Sequence, residues 1–407
     1  MKFDDLNLSD PILRSLKDQN YKSPTPIQAK VIPAILNNKD LMAAAQTGTG
    51  KTAAFVLPIL SILANPKNNY KGHQLRALII TPTRELAAQV RENVNTYSKY
   101  LNIKSTAVYG GARIHNQKLK LRKGVDVLVA TPGRLIDLYN QKAINFKNIE
   151  IFVLDEADQM LDMGFIHDIK KIANLLPTKK QNLMFTATFS NKFRSLAKQL
   201  APKAKEVSVT SDNEAGRNIE HYIHPVDQSK KVELLIKLMI KENWDQTLIF
   251  TRTKNRADKL KKQLDKVDIK SQAIHGDKTQ NNRMKALEAF KNNKIQILVA
   301  TDVAARGIDI KRMSRVINFD VPIVAKDYIH RIGRTGRAGD KGKAITLVSA
   351  DEFRLLKDIE LLLNIKIKRI EVEGFEPLQQ PPKASKQIKK KFHNKRGFKK
   401  RNKSRKG

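Results

Sequence analysis

Short, wholly apolar runs alternate with longer helix-period stretches along this chain, and the alternation occurs twice. LMAAA (41–45), ALII (77–80), VLVA (127–130), IFVL (151–154) and LMF (183–185) each present an unbroken apolar set. Runs this short and this continuous suit strands covered on both faces. RELAAQVRENVNTYSKYL (84–101) lies among them and has helical periodicity. Buried strands separated by helices close into a parallel, doubly wound sheet. Around residues 207–220 the pattern stops. VSVTSDNEAGRNIE is polar, holds Ser, Asp, Asn and Gly, and suits a linker. The alternation then restarts with TLIF (247–250), QAI (272–274), IQILVA (295–300), RVINF (315–319) and AITLV (344–348). The expected fold class is α/β: two tandem parallel sheets flanked by helices, over residues 1–208 and 219–373, with a linker at 209–218. A chain of 407 residues can bury a core in each.

Past residue 374 the order signal fades. EPLQQPPKASK has three prolines, and KQIKKKFHNKRGFKKRNKSRKG after it has no acidic residue. Such a segment, 374–407, cannot bury enough apolar surface to fold alone, so a disordered basic tail is expected. It reads either as a solubilising tail or as a flexible arm for phosphates. Phe392 and Phe398, available to stack on bases, favour the arm. The whole chain carries a formal net charge of +37, from 77 Lys and Arg against 40 Asp and Glu. A charge of that size calls for a polyanion, nucleic acid first and an anionic membrane second. No basic amphipathic helix with a bulky apolar face stands out, and no apolar run reaches the roughly 18 residues of a span. Without cysteine there are no disulfides and no cysteine-held metals, which fits a reducing cytoplasm. MKFDDLNLSD at the start has no apolar core of a leader, so no secretory signal is expected.

Three constellations carry chemistry. AQTGTGKT (45–52) follows a strand and opens an apolar helix. Glycines there let bare backbone N–H groups close around phosphate oxygens, and a helix N-terminus favours the negative charge. Lys51 would neutralise β- and γ-phosphates, and the Thr52 hydroxyl would ligate Mg²⁺. Ala45 stands where the generic pattern has its first glycine. IFVLDEAD (151–158) runs an apolar strand straight into carboxylates, which places them in the crevice where α/β sheets bind ligands. Asp155 suits the Mg²⁺-holding role, and Glu156 could position or deprotonate an attacking water. HRIGRTGR (330–337) sets three arginines and two glycines in eight residues. It reads as an arginine finger reaching a γ-phosphate from the second domain, or as a basic nucleic-acid loop.

Together with further motifs in fixed order, these residues resemble the DEAD-box RNA helicase family over residues 3 to about 370. YKSPTPIQ (21–28), with Phe3 upstream, looks like the motif that reads adenine. PTREL (82–86), Gly110–Gly111 and TPGR (131–134) look like RNA-contacting motifs of the first domain. AQTGTGKT is the family's own phosphate loop, Ala45 included, and DEAD (155–158) is its name-giving motif. QNNR (280–283), ATDVAARGID (300–309) and HRIGRTGR complete the second domain. MLDMGF (160–165), LIFTRTK (248–254) and the short basic tail are most similar to the bacterial RhlE-type branch.

The resemblance implies two RecA-like domains, ATP and Mg²⁺ as cofactors, and RNA as partner. Phe3, Tyr21 and Gln28 would hold adenine. Thr47, Gly48, Thr49, Gly50, Lys51 and Thr52 would cradle the phosphates, with Gly307 approaching them and Asp309 on the ribose. Thr52 and Asp155 would hold the metal. Lys51, Asp155, Glu156, Arg334 and Arg337 would form the catalytic set. Pro82, Thr83, Arg84, Gly111, Thr131, Arg134, Gln280, Arg283 and Thr301 would touch the RNA backbone. Taken alone, without the resemblance, Thr131, Thr301 and Gln280 are better read as helix caps or solvated positions. Thr186, Ala187, Thr188, Asp158, His330 and Arg331 would couple hydrolysis to unwinding. The family usually has Ser-Ala-Thr where this chain has Thr186-Ala187-Thr188, whose extra methyl must fit a packed site. Asn20 stands where a glycine often precedes the adenine motif, and asparagine tolerates unusual backbone angles. His115, His275 and Trp244 read as structural or surface residues.

The implied activity is ATP hydrolysis coupled to local, non-processive RNA unwinding or ribonucleoprotein remodelling, by a monomeric core in the cytoplasm. Ribosomal or RNA-decay complexes would be its setting. The competing reading is an ATP-gated RNA clamp or annealing chaperone with incidental turnover.

Overall fold

The computed structural model describes residues 1–45, 48–65, 72–209, 219–305, 313–335 and 342–378. Among them, two parallel seven-stranded sheets account for the strands. The first takes β1 (Leu41–Ala44), β2 (Ala77–Ile80), β3 (Ser105–Val108), β4 (Val127–Ala130), β5 (Ile151–Leu154), β6 (Gln181–Thr186) and β7 (Lys205–Ser208) in the order β3-β4-β2-β5-β6-β1-β7. The second takes β8 (Ile219–Pro225), β9 (Thr247–Phe250), β10 (Ser271–Ile274), β11 (Ile297–Ala300), β12 (Arg315–Asn318), β13 (Gly342–Val348) and β14 (Lys368–Arg369) in the order β10-β11-β9-β12-β13-β8-β14. These are tandem RecA-like α/β domains.

The apolar runs lie at the sheet centres because every residue of β2, β4 and β5 is buried. Their side chains divide by alternation, as strand geometry requires. Ile79, Val129, Val153 and Leu183 join the core under one helical layer, and Leu78, Leu128, Phe152 and Met184 the core under the other. In the second sheet Ile249, Val299 and Ile317 pack one way, and Leu248, Leu298 and Val316 the other.

Residues 210–218 of the expected linker lie outside the described residues. On either side of it, Lys205–Ser208 is the strand β7, paired with β1, and Ile219 begins β8. β7 escapes a hydropathy reading because it is an edge strand that buries only Val207. β3, also at an edge, buries alternate residues only. The helix read over 84–101 ends at Tyr97, with Ser98 as its cap. Asn20 takes a left-handed φ of 57°, the conformation a glycine would supply most freely. No helix among the described residues is long and apolar enough to cross a membrane. The tail at 379–407 lies outside the described residues.

Candidate active site

Apart from the segment 21–28, which precedes β1, the motifs of the first domain emerge at the carboxyl end of its sheet. The phosphate loop follows β1, Thr81–Thr83 follow β2, Gly110–Gly111 follow β3, Thr131 follows β4, Asp155–Glu156 follow β5, and Thr186 ends β6. Parallel strands carry these segments to one edge, where α/β sheets bind ligands.

The phosphate loop enters the helix Lys51–Leu63 through Gly50, at φ 92°, with Gly48 at φ 80°. Gly50 has a second reason to be glycine: a Cβ there would collide with the Gln28 amide. Gln28 is buried, accepts from the Thr25 N–H at 2.9 Å and donates to the Gly50 carbonyl at 3.2 Å. It therefore ties the phosphate loop to the cap of the helix Pro26–Leu36. Phe3, expected beside adenine, is 5% exposed, packs into the core and stands edge-on to Tyr21 at 6.0 Å. Tyr21 lines the cleft.

Lys51 is buried, and its ammonium has no hydrogen-bond partner among the described residues. Facing it are Asp155 and Glu156, both buried, with the Glu156 N–H donating to Asp155 Oδ1 at 3.0 Å. Glu156 holds a left-handed φ of 52°, a strained value for a residue with a side chain, and its Oε2 is unpartnered. Burial pushes the Asp155 carboxyl up to about 6, against the pull of Lys51. Burial, then the Asp155 charge, pushes Glu156 up to about 7, against Lys51 and Arg334. Arg334 comes from the second domain and is itself buried, so the two domains share one electrostatic site.

A buried cation without a partner beside two raised carboxyls is costly in an empty site. A polyphosphate with a divalent cation would meet both needs. Lys51 and the loop N–H groups suit phosphate, and the Thr52 hydroxyl and Asp155 suit Mg²⁺. Gly48, Gly50, Lys51, Thr52, Asp155 and Glu156 line one cleft of about 230 Å³. Leu86, Gln89, Asn93 and Tyr97 line its far wall, and the motif reading missed these four. Their spacing along the helix Arg84–Tyr97 puts them on one face, which is the signal that could have found them. Tyr97 meets Tyr21 hydroxyl to hydroxyl at 2.9 Å.

The expected RNA set forms two groups. In the first domain Arg84 lies against Gly111, whose φ of 76° and missing Cβ make room for the guanidinium. Arg134 donates to the Ala112 carbonyl at 3.1 Å. Thr131 begins the helix Pro132–Asn140 without a side-chain cap, whereas Thr83 does cap its helix. Pro82 is buried beside it. In the second domain Thr301 follows β11, and Gln280 is buried with both amide atoms unpartnered. Arg283 is also buried and pairs with Glu85 of the first domain at 2.9 Å. Glu85 is another functional candidate that the motifs did not single out.

In the expected coupling set, Asp158 Oδ2 accepts from the Ala187 N–H at 2.9 Å. The Thr186 hydroxyl donates to the Thr188 carbonyl at 2.9 Å, and Thr186 is fully buried, so its extra methyl is accommodated. Arg331, expected in the coupling set, is 1% exposed and clamped within its own domain by Asp302 at 2.5 and 2.8 Å, Asn318 at 3.1 Å and the Asp320 carbonyl at 2.7 Å. His330 precedes it on the helix Ala325–Ile332. Thr47, Gly307, Asp309 and Arg337 lie outside the described residues. Trp244 is a packing residue whose indole N–H reaches Glu242 at 2.9 Å.

The family model described as DEAD/DEAH box helicase matches residues 25–196, and the helicase conserved C-terminal domain matches residues 230–339. The DEAD-box ATP-dependent RNA helicase RhpA of Helicobacter pylori is 41% identical over 370 residues, 91% of this chain and 74% of that protein. The ATP-dependent RNA helicase DbpA of Bacillus subtilis is 40% identical over 374 residues, 92% of this chain and 77% of the relative. Among solved structures, S. cerevisiae Dbp5 bound to RNA and ADP BeF3 superposes with a TM-score of 0.80 at 32% identity. That match covers 91% of this chain and 95% of that one.

Proposed function

This chain belongs to the DEAD-box family of ATP-dependent RNA helicases, and on that premise we propose how its residues divide the work of an RNA-stimulated ATPase. The observation that carries the division is the shared site: Lys51, Asp155 and Glu156 from one domain and Arg334 from the other, buried together. The catalytic set is complete only while the domains are closed on each other.

Lys51 and the loop N–H groups bind the phosphates of ATP, and Tyr21 presents its ring toward the base. Gln28 holds the loop in register with that base site. Mg²⁺, held by the Thr52 hydroxyl and Asp155, would neutralise charge on the phosphates. Glu156 takes a proton from the water that attacks the γ-phosphorus, a role its raised carboxyl suits near neutral pH. Arg334 stabilises the charge gathering on the transferred group.

Arg84, Arg134, Gly111, Thr131 and Thr301 line the edge where an RNA backbone would run, so sequence preference would be slight and unwinding local and non-processive. Asp158, tied to the Ala187 N–H, links the hydrolytic loop to the end of β6. Recovery of the lysine-rich tail with RNA, and residence in ribosomal or RNA-decay complexes in the cytoplasm, belong to the same reading. The narrower likeness to the RhlE-type branch rests on residues 160–165 and 248–254.

The test is ATP hydrolysis measured without nucleic acid, with single-stranded RNA and with DNA of the same sequence, beside Lys51→Ala. Stimulation by RNA over DNA, abolished by Lys51→Ala, is expected. Equal rates in all three conditions would return the clamp or annealer reading to first place.

A further inference from the structure

The two sheets have the same strand order, each strand of the second standing where its counterpart stands in the first. The likeness reaches single hydrogen bonds. After β2, the Thr81 hydroxyl donates to the Thr83 carbonyl at 3.2 Å, and Thr83 Oγ1 accepts from the Leu86 N–H at 3.3 Å. After β9, Thr251 donates to the Thr253 carbonyl at 3.3 Å, and Thr253 Oγ1 accepts from the Arg256 N–H at 3.3 Å.

On this correspondence β1, with Lys51 opening the next helix, matches β8, with Lys231 opening the helix Lys231–Lys241. Asp155, directly after β5, matches Asp320, two residues after β12. Lys231 and Asp320 are both fully buried, 4.0 Å apart. The second domain thus retains the lysine and the aspartate of a phosphate site.

The two lysines differ in their partners. Lys51 has none among the described residues, whereas Lys231 donates to the carbonyls of Phe319 and Leu347, each at 3.0 Å, and to the carboxylate of Glu352. Glu352 is 1% exposed and is surrounded as a phosphate group is. Its Oε1 accepts from Arg252 at 2.7 Å and from the Val321 N–H at 3.2 Å. Its Oε2 accepts from the Ser349 N–H at 3.2 Å, besides Lys231, while the Ser349 hydroxyl turns to Asp351 at 2.6 Å. Two cations and two backbone N–H groups converge on one carboxylate. The connecting loop VDQSK (226–230) has no glycine, unlike residues 45–50, so it lacks the bare backbone needed to wrap an incoming phosphate.

We infer that the second domain holds a second phosphate cradle whose anion is its own Glu352. A cavity of about 750 Å³, lined in part by Gln228, Arg256, Phe319 and Ser349, lies beside the cradle. It gives a small tetrahedral oxyanion a way in once the carboxylate is removed. A Ser349–Glu352 capping box is also present at this turn. Capping alone calls for no anion, so the two roles separate by experiment.

The experiment compares Lys51→Ala with Lys51→Ala/Glu352→Ala in the full chain, so that phosphate has no call on the first domain. Thermal midpoints are measured against inorganic phosphate and against chloride at matched ionic strength. The double variant should melt lower in chloride and regain half or more of the loss as phosphate saturates, while the parent responds equally to both salts. Equal responses of both proteins would overturn the cradle. If the double variant does not fold in chloride, the yield of refolded protein is read instead. Recovery in phosphate alone supports the inference, and no recovery in either salt overturns it.

Discussion

Glu85 and Arg283 stand 2.9 Å apart on different domains, both buried, with the Arg84 charge beside them. Burial pushes the Arg283 guanidinium below its usual range, and Glu85 pulls it back. Each charge is matched while the domains face each other. Parting them would expose both to water, so the pair acts as a clasp on the closed arrangement. Breaking one side of a buried pair costs roughly 3–5 kcal/mol in a closed interior and less at a seam that can hydrate. Arg283→Gln should lower RNA-stimulated ATP turnover about tenfold, a change of ~1.4 kcal/mol, with basal hydrolysis little altered. The swap Glu85→Arg/Arg283→Glu should recover part of that loss. A direct RNA phosphate contact by Arg283 predicts no recovery, and steady-state kinetics decide.

Glu156→Gln should keep ATP and RNA binding while turnover drops by about 10²-fold or more, the range of a lost general base. Binding is read by fluorescence titration and turnover by phosphate release. Unaltered turnover would remove Glu156 from proton transfer.

The raised carboxyls make the nucleotide-free protein sensitive to pH. Glu156 is pushed from 4.5 in the unfolded chain to about 7 in the fold. Its protonated form favours folding, so its contribution is full below about pH 4.5 and is lost as pH rises through about 7. Glu156→Gln should therefore raise the thermal midpoint at pH 8, and the gain should shrink toward pH 5. Activity runs the other way, since a base must be ionised: turnover should climb between pH 6 and 8. A midpoint gain independent of pH would assign the effect to packing instead.

Removing residues 383–407 should weaken RNA binding and flatten its dependence on salt, because fewer phosphates are neutralised. Basal ATPase should persist. An unchanged slope of log affinity against log salt would make the tail a solubiliser.

Much of this molecule is legible in its residues because parallel sheets advertise themselves. IFVL and VLVA are short runs buried on both faces, whereas the longer buried run Ala53–Leu60 belongs to a helix, so length separates the two. β7 and β3 are not legible that way, because edge strands bury one side chain or alternate ones. The site is legible where chemistry demands a residue type, as at Lys51, Asp155 and Gly50. It is not legible where geometry alone recruits a residue. Gln89, Asn93 and Tyr97 line the cleft because their helix packs beside the phosphate-loop helix, and no motif marks them. Arg331, expected in the coupling set, is held inside its domain by Asp302 and Asn318, contacts that its motif does not announce. Glu352 belongs to no motif, and its meaning emerges only once the two sheets are aligned.

The Gln28 amide spans two jobs, capping the segment after Tyr21 and holding the Gly50 carbonyl. On the proposed reading, in which Gln28 also meets the base, base and phosphates would be read through one connector. A nucleotide with the wrong base would still seat its triphosphate but leave that connector, and the loop carrying Lys51, free to shift. Fidelity toward adenine would then register as lost catalytic tempo rather than lost occupancy, so a cell rich in GTP would fill the cleft without turning the motor.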